Sequence, residues 1–82
     1  MKIKYFSWIK DITKKDSEEI DNKKINDLNK LKLFLIKKYP QLDSHLMKED
    51  ILRIAINLKY ETKNKKIHSN DSIAIFPPVS GG

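Results

Sequence analysis

A single stripe of leucines at helical spacing, Leu28, Leu31 and Leu35, is flanked on both sides by short segments whose apolar residues alternate in steps of two. One helix can cover one face of one sheet, so this pattern admits few folds. Asn26 is the expected N-cap, Asp27 suits the positive end of the dipole, and Tyr39 closes the stripe. Lys37 and Lys38 fit the last turn, and Pro40 disfavours helix at Tyr39, so the element ends there.

The flanking segments read as strands. Lys2 to Trp8 places Ile3 and Tyr5 on one face and the lysines, then Phe6 and Trp8, on the other. Lys14 to Ser17 is polar enough to turn, and Ser17 to Lys24 can return beside the first strand as a hairpin. Residues 41–50 are mixed, with Leu42, Leu46 and Met47 able to seat a loop or short helix. Ile51 to Leu58 is a second apolar run, and Lys59-Tyr60-Glu61 can turn back from it as a weak strand. Ile67 is the one residue of its polar stretch with a reason to be buried. Ser69-Asn70-Asp71 is turn chemistry before the last strand, Ser72 to Phe76.

The order is strand, strand, helix, strand, weak strand, strand. The expected class is α+β: a mixed sheet of four to five strands with one main helix packed across it. With 82 residues, it is read as a single small domain. Such a chain has no room for a core and a deep catalytic cavity together, which makes the body a handle rather than an enzyme.

Composition removes several alternatives. With no cysteine, the chain has neither a disulfide nor a thiolate zinc site, and it suits a reducing cytosol. Met1 to Tyr5 reads as a strand rather than a signal peptide, and no apolar run approaches the roughly 18 residues of a membrane span. A cytoplasmic protein with no membrane partner is expected. The net charge of +6 invites a nucleic-acid reading. The cations are scattered, though, and Arg53 is the sole arginine available for bidentate contacts, so a solvated lysine surface is the better account. His45 and His68 are isolated from clustered acids and read as surface or structural, with no metal site.

The last strand runs into Pro77-Pro78-Val79-Ser80-Gly81-Gly82. The prolines cannot donate a ladder hydrogen bond and hold φ near about −65°, so the chain is expected to leave the sheet extended. Six residues reach about 20 Å at roughly 3.3 to 3.6 Å each. Glycines at the tip, having no Cβ, can enter an active site too narrow for other residues. A carboxylate there could visit another protein's active site while the body stays docked outside.

Element order and tail together resemble the ubiquitin-like sulfur carriers of the β-grasp fold, most closely the MoaD family of molybdopterin synthase small subunits. The stretch carrying the resemblance is Asp71-Ser72-Ile73-Ala74-Ile75-Phe76-Pro77-Pro78-Val79-Ser80-Gly81-Gly82, supported by Ile3-Lys4-Tyr5-Phe6 and Ala55-Ile56-Asn57. Two departures stand out. Lys10-Asp11 replaces the family's Arg-Glu, which forfeits a bidentate arginine contact. Asn70 replaces the glycine before Asp71, a change asparagine can tolerate in a left-handed turn.

The resemblance implies a chemistry centred on Gly82, with no cofactor bound permanently. An E1-like adenylyltransferase (MoeB type) would use ATP and Mg to adenylate the Gly82 carboxylate, and a sulfurtransferase would convert it to a thiocarboxylate. A large subunit (MoaE type, two large and two small subunits in a heterotetramer) would then receive the tail, and the sulfur would pass to cyclic pyranopterin monophosphate. Gly81 would give clearance, while Pro77, Pro78, Val79 and Ser80 line the arm. Phe6 and Phe76 fit either docking on an open sheet face or ordinary core, and Trp8 is similar. Two rival roles stay open: a carrier for thiamine or tRNA thiolation, and a ubiquitin-like protein modifier. The Pro77-Pro78 pair argues against thiamine and the short length against the tRNA type.

Overall fold

The computed structural model describes residues 1–78, so the readings for Val79, Ser80, Gly81 and Gly82 lie outside the described residues. Five strands form one mixed sheet: β1 (Lys2–Tyr5), β2 (Ser17–Glu19), β3 (Arg53–Ile56), β4 (Lys59–Glu61) and β5 (Ser72–Phe76). Their order is β2-β1-β5-β3-β4. β1 and β5 run parallel at the centre, and every other pairing is antiparallel.

The register stacks the inward side chains in two rows. Tyr5 lies beside Ile75 and Ile75 beside Ile54, while Ile3, Ile73 and Ile56 form the second row. All six are buried. At about 1.5 to 3 kcal/mol for each buried side chain, these rows form the largest favourable contribution of the sheet. The helix α2 (Leu28–Lys38) supplies the other half of the core through Leu28, Leu31 and Leu35, as its spacing predicts.

Several boundaries differ from expectation. The helix is capped by Asp27, whose extended backbone lets its carboxylate accept the Lys30 N–H at 2.8 Å. Asn26 instead gives its carbonyl to Ile67 N–H and its side chain to Lys30 Nζ. The first strand stops at Tyr5 because Ser7, at φ 59°, turns the chain away. A single helical turn, α1 (Ile9–Thr13), follows and ends on Lys14 in the left-handed region. Ile9 and Thr13, four apart, are its buried residues, so this short amphipathic turn lengthens the hairpin connection without changing the pairing of β1 with β2.

Between α2 and β3 lie a 3₁₀ turn (Pro40–Leu42) and a wide helical turn (Ser44–Lys48). Leu42 and Leu46 seat them on the core, whereas Met47 is exposed. The run expected as a strand over 51–58 is one only from Arg53 to Ile56, because Asn57 and Leu58 form a tight turn into β4. Ile67 is buried as expected. Asn70 is not left-handed: among the described residues the non-glycine positions at positive φ are Ser7, Lys14, Asp50, Asn57 and Leu58. The 68–71 turn closes through the Asp71 N–H on the His68 carbonyl, so glycine is not required there.

Candidate docking face and tail root

The side of the sheet away from α2 is open. Alternation sends Lys2, Lys4, Ser72 and Ala74 outward, and Ala55 shares a row with Ala74 and Tyr60. Phe6, one residue past β1, and Phe76, the last residue of β5, follow the same outward phase. The Phe6 N–H bonds the Ile75 carbonyl at 3.1 Å, which fastens Phe6 to the root of the tail.

Phe6 is 45% exposed and Tyr60 48%, unusually high for aromatic rings held on a sheet. Phe76, half-buried, lies between strand and solvent with its ring tilted against that of Tyr60 at 6.4 Å. Tyr60 and Phe76 thus pair beside a floor of small alanines, with Phe6 at the end of the neighbouring strand, where half-buried Pro77 and exposed Pro78 begin. Such rings anchor protein interfaces by burying large apolar area at low entropic cost. Of the two readings open for Phe6 and Phe76, ordinary core does not describe Phe6, which is exposed, while Phe76 is partly buried at the rim.

Tyr60 was not singled out by sequence. Its strand has three residues and sits at the sheet edge between charged Lys59 and Glu61, so the period-two signal is weak; that flanking charge, alternating about a single aromatic, was the cue available. Trp8 points elsewhere: it packs on the core and meets His45 edge-on at 4.8 Å, which makes both structural. Lys10 reaches Asp16 at 3.7 Å near the same end of the sheet. Arg53 is held by the carbonyls of Asp50 and Leu52.

The strongest electrostatic feature lies on the closed side. Glu18 Oε2 accepts the hydroxyls of Tyr5 and Tyr39, each at 2.5 Å, and Oε1 accepts Lys38 Nζ at 2.5 Å. Burial alone would raise the Glu18 carboxyl, but the hydrogen bonds from Lys38, Tyr39 and Tyr5 outweigh it and hold the group at about 2. Burial and the Glu18 carboxylate push Tyr39 up to about 12 and Tyr5 well above its ordinary range. The phenols therefore stay protonated donors, and the cluster ties β2 and β1 to the end of α2. Asp71 is held below the carboxylate range by the His68 N–H and the Asn57 side chain, again in a turn-closing role.

Among the described residues, no group of three His, Cys, Asp or Glu side chains could hold a metal ion. The open face carries rings, small residues and lysines, with no nucleophile held by a base.

The chain is 40% identical to a molybdopterin synthase sulfur carrier subunit from Dictyostelium discoideum over 88 residues, covering 99% of this chain and 94% of that one. Its fold matches a putative molybdopterin converting factor, subunit 1, from Pyrococcus furiosus with a TM-score of 0.80 at 23% identity, over 95% of each chain. It matches the small archaeal modifier protein 1 of Methanosarcina acetivorans with a TM-score of 0.80 at 25% identity, over 99% of this chain and 94% of that one. The five-stranded mixed sheet with a helix across it is the ubiquitin-like β-grasp. The match to the ThiS family spans residues 3–82, and the chain belongs to that family.

Proposed function

We propose that the protein is the sulfur carrier subunit of molybdopterin synthase, acting in molybdenum cofactor biosynthesis. The observation that carries this reading is the 40% identity, over nearly the full length of both chains, to a protein of that name. The aromatic face at the root of the tail supports it, because a carrier must dock beside the site its tail enters.

In this reading the Gly82 carboxylate, a poor electrophile, is activated by an E1-like adenylyltransferase that uses ATP and Mg. The carboxylate oxygen attacks the α-phosphorus, pyrophosphate leaves, and an acyl-adenylate forms. A sulfurtransferase persulfide then attacks the acyl carbon, AMP leaves, and a thiol reductant cleaves the resulting acyl disulfide to leave a thiocarboxylate. Phe6, Tyr60 and Phe76 dock the body on the large subunit, while Pro77 and Pro78 end sheet pairing and direct Val79, Ser80 and Gly81 into its active site. The thiocarboxylate sulfur attacks a side-chain carbon of cyclic pyranopterin monophosphate and displaces its oxygen substituent, and water hydrolyses the resulting thioester, leaving the sulfur on the pterin and returning Gly82 as a carboxylate. Two carriers serve one dithiolene. Rate assistance comes mainly from positioning the sulfur, with charged groups supplied by the partner. The work is assigned to the cytoplasm, and no helix among the described residues is long and apolar enough to cross a membrane.

Reconstitution tests this. Thiocarboxylated chain mixed with the large subunit and the pyranopterin precursor yields dithiolene, consuming two carriers per product. Absence of product with a competent large subunit defeats the proposal. The likeness to a small archaeal modifier protein favours one rival, a protein modifier, which would instead leave the chain isopeptide-linked to other proteins.

A further inference from the structure

The turn joining β3 to β4 has a residue that the fold itself does not call for. Ile56 pairs with Lys59, so Asn57 and Leu58 alone make the connection, and both are left-handed, at φ 51° and 70°. This is the primed hairpin turn whose second position ordinarily favours glycine. Asn57 is clamped to the start of β5: its N–H bonds the Ser72 carbonyl at 2.7 Å, its Oδ1 accepts the Ser72 N–H at 2.9 Å, and its Nδ2 bonds Asp71 Oδ1 at 2.9 Å. The clamp fixes the turn, so Leu58 cannot relax out of the left-handed region. Leucine there carries a steric penalty that glycine avoids. Its side chain is fully exposed, so no internal contact offsets that penalty.

A groove on the open face runs from Leu58 to Phe6, lined by Lys2, Lys4, Ser72 and Ala74. Lys2 and Lys4 are exposed, and neither has an ion-pair partner among the described residues; Glu19, opposite Lys2 in the ladder, reaches the Met1 amine instead. Phe6 and Leu58 therefore mark the two ends of one groove, with two cations along its side that have no ion-pair partner among the described residues.

We infer that the docking face has a second anchor at the end remote from the tail, where Leu58 enters an apolar socket on the large subunit and Lys2 and Lys4 meet carboxylates at its rim. The inference rests on the reading of the chain as a carrier that docks on that subunit. An anchor at each end of the sheet fixes the body's tilt as well as its position, and the tilt aims the tail. The lysines require an acidic partner surface rather than an apolar one, because burying them without carboxylates would leave uncompensated charge.

Titration calorimetry of the large subunit and, in parallel, of the activating enzyme with Leu58→Gly, Leu58→Asn and Lys2→Glu/Lys4→Glu, alongside melting curves, tests it. Both Leu58 variants bind about tenfold more weakly, while Leu58→Gly melts at the same temperature or up to about 4 °C higher. Leu58→Asn, which tolerates the left-handed turn, separates loss of the apolar side chain from added backbone freedom. The double lysine reversal also weakens binding about tenfold at low salt, and the deficit shrinks as salt screens the rim. Unchanged affinity in both Leu58 variants, or in the lysine reversal, overturns the second anchor and leaves the carrier reading standing if wild type binds. Weakening confined to the activating enzyme overturns the named partner. A wild-type chain that does not bind the large subunit removes both ideas.

Discussion

The two faces of this sheet are built from neighbouring residues of the same strands, yet they serve opposite ends. In β1, Ile3 and Tyr5 are buried while Lys2, Lys4 and the following Phe6 face solvent; in β5, Ile73 and Ile75 are buried while Ser72 and Ala74 lie on the other side. The closed face concentrates burial and a carboxylate clasp, and it holds the shape. The open face leaves aromatic rings uncovered that a small domain would ordinarily bury, as the proposed docking requires. Stability and recognition are therefore separable by a shift of one residue along a strand.

The widest separation is expected between the tail and the body. Deleting Gly82 reduces sulfur transfer at least about 100-fold, because the reacting group is displaced by a whole residue. The same deletion leaves the melting temperature within about 2 °C, which thermal denaturation beside a transfer assay checks. A matching loss of stability would merge the two regions that the account keeps apart.

Next in size is the closed face. Ile75→Ala removes a fully buried side chain from the central row and costs about 2 to 5 kcal/mol in denaturant unfolding. Glu18→Gln costs less, about 1 to 3 kcal/mol, since the amide oxygen can still accept the two phenols while the charge-assisted bond from Lys38 is lost. Its signature is in the pH dependence. The Glu18 carboxyl is lowered from 4.5 to about 2 in the folded chain, so its stabilisation is complete above about 4.5 and disappears as pH falls from there toward 2. Wild type should lose stability more steeply than Glu18→Gln across that window, and parallel slopes would remove the clasp from the account.

The smallest effect on folding belongs to the open face. Tyr60→Ala changes stability by less than about 1 kcal/mol yet weakens binding to the large subunit about tenfold by calorimetry. Set beside Ile75→Ala, it inverts the ratio of stability loss to binding loss. Were both substitutions to act only through unfolding, the functional distinction between the faces would be gone.

What the sequence revealed divides along similar physical lines. The helix was legible because Leu28, Leu31 and Leu35 repeat over about two turns, and β5 because Ile73 and Ile75 alternate between turn residues and prolines. The turn at Ile9–Thr13 was hidden because five residues carry too little periodicity, and the apolar Phe6 and Trp8 before it continue the strand pattern. Tyr60 was missed because its three-residue edge strand is flanked by charges. Nothing local announced the Glu18 clasp, whose partners Tyr5 and Tyr39 lie 13 and 21 residues away. The Asn57-Leu58 turn ran against local preference, since a leucine at positive φ is disfavoured by its own Cβ. At the candidate site, Phe6 and Phe76 could be named in advance. Their exposure could not, because it depends on α2 covering the opposite face.

The central claim is that Gly82 carries the sulfur, and intact-mass spectrometry tests it most directly. After incubation with the E1-like enzyme, ATP and a sulfur donor, the chain should gain about 16 Da, the difference between the oxygen lost and the sulfur acquired. The gain should vanish when ATP is omitted or Gly82 is deleted. A mass that stays constant with all components active, or a gain that survives loss of Gly82, would contradict the account.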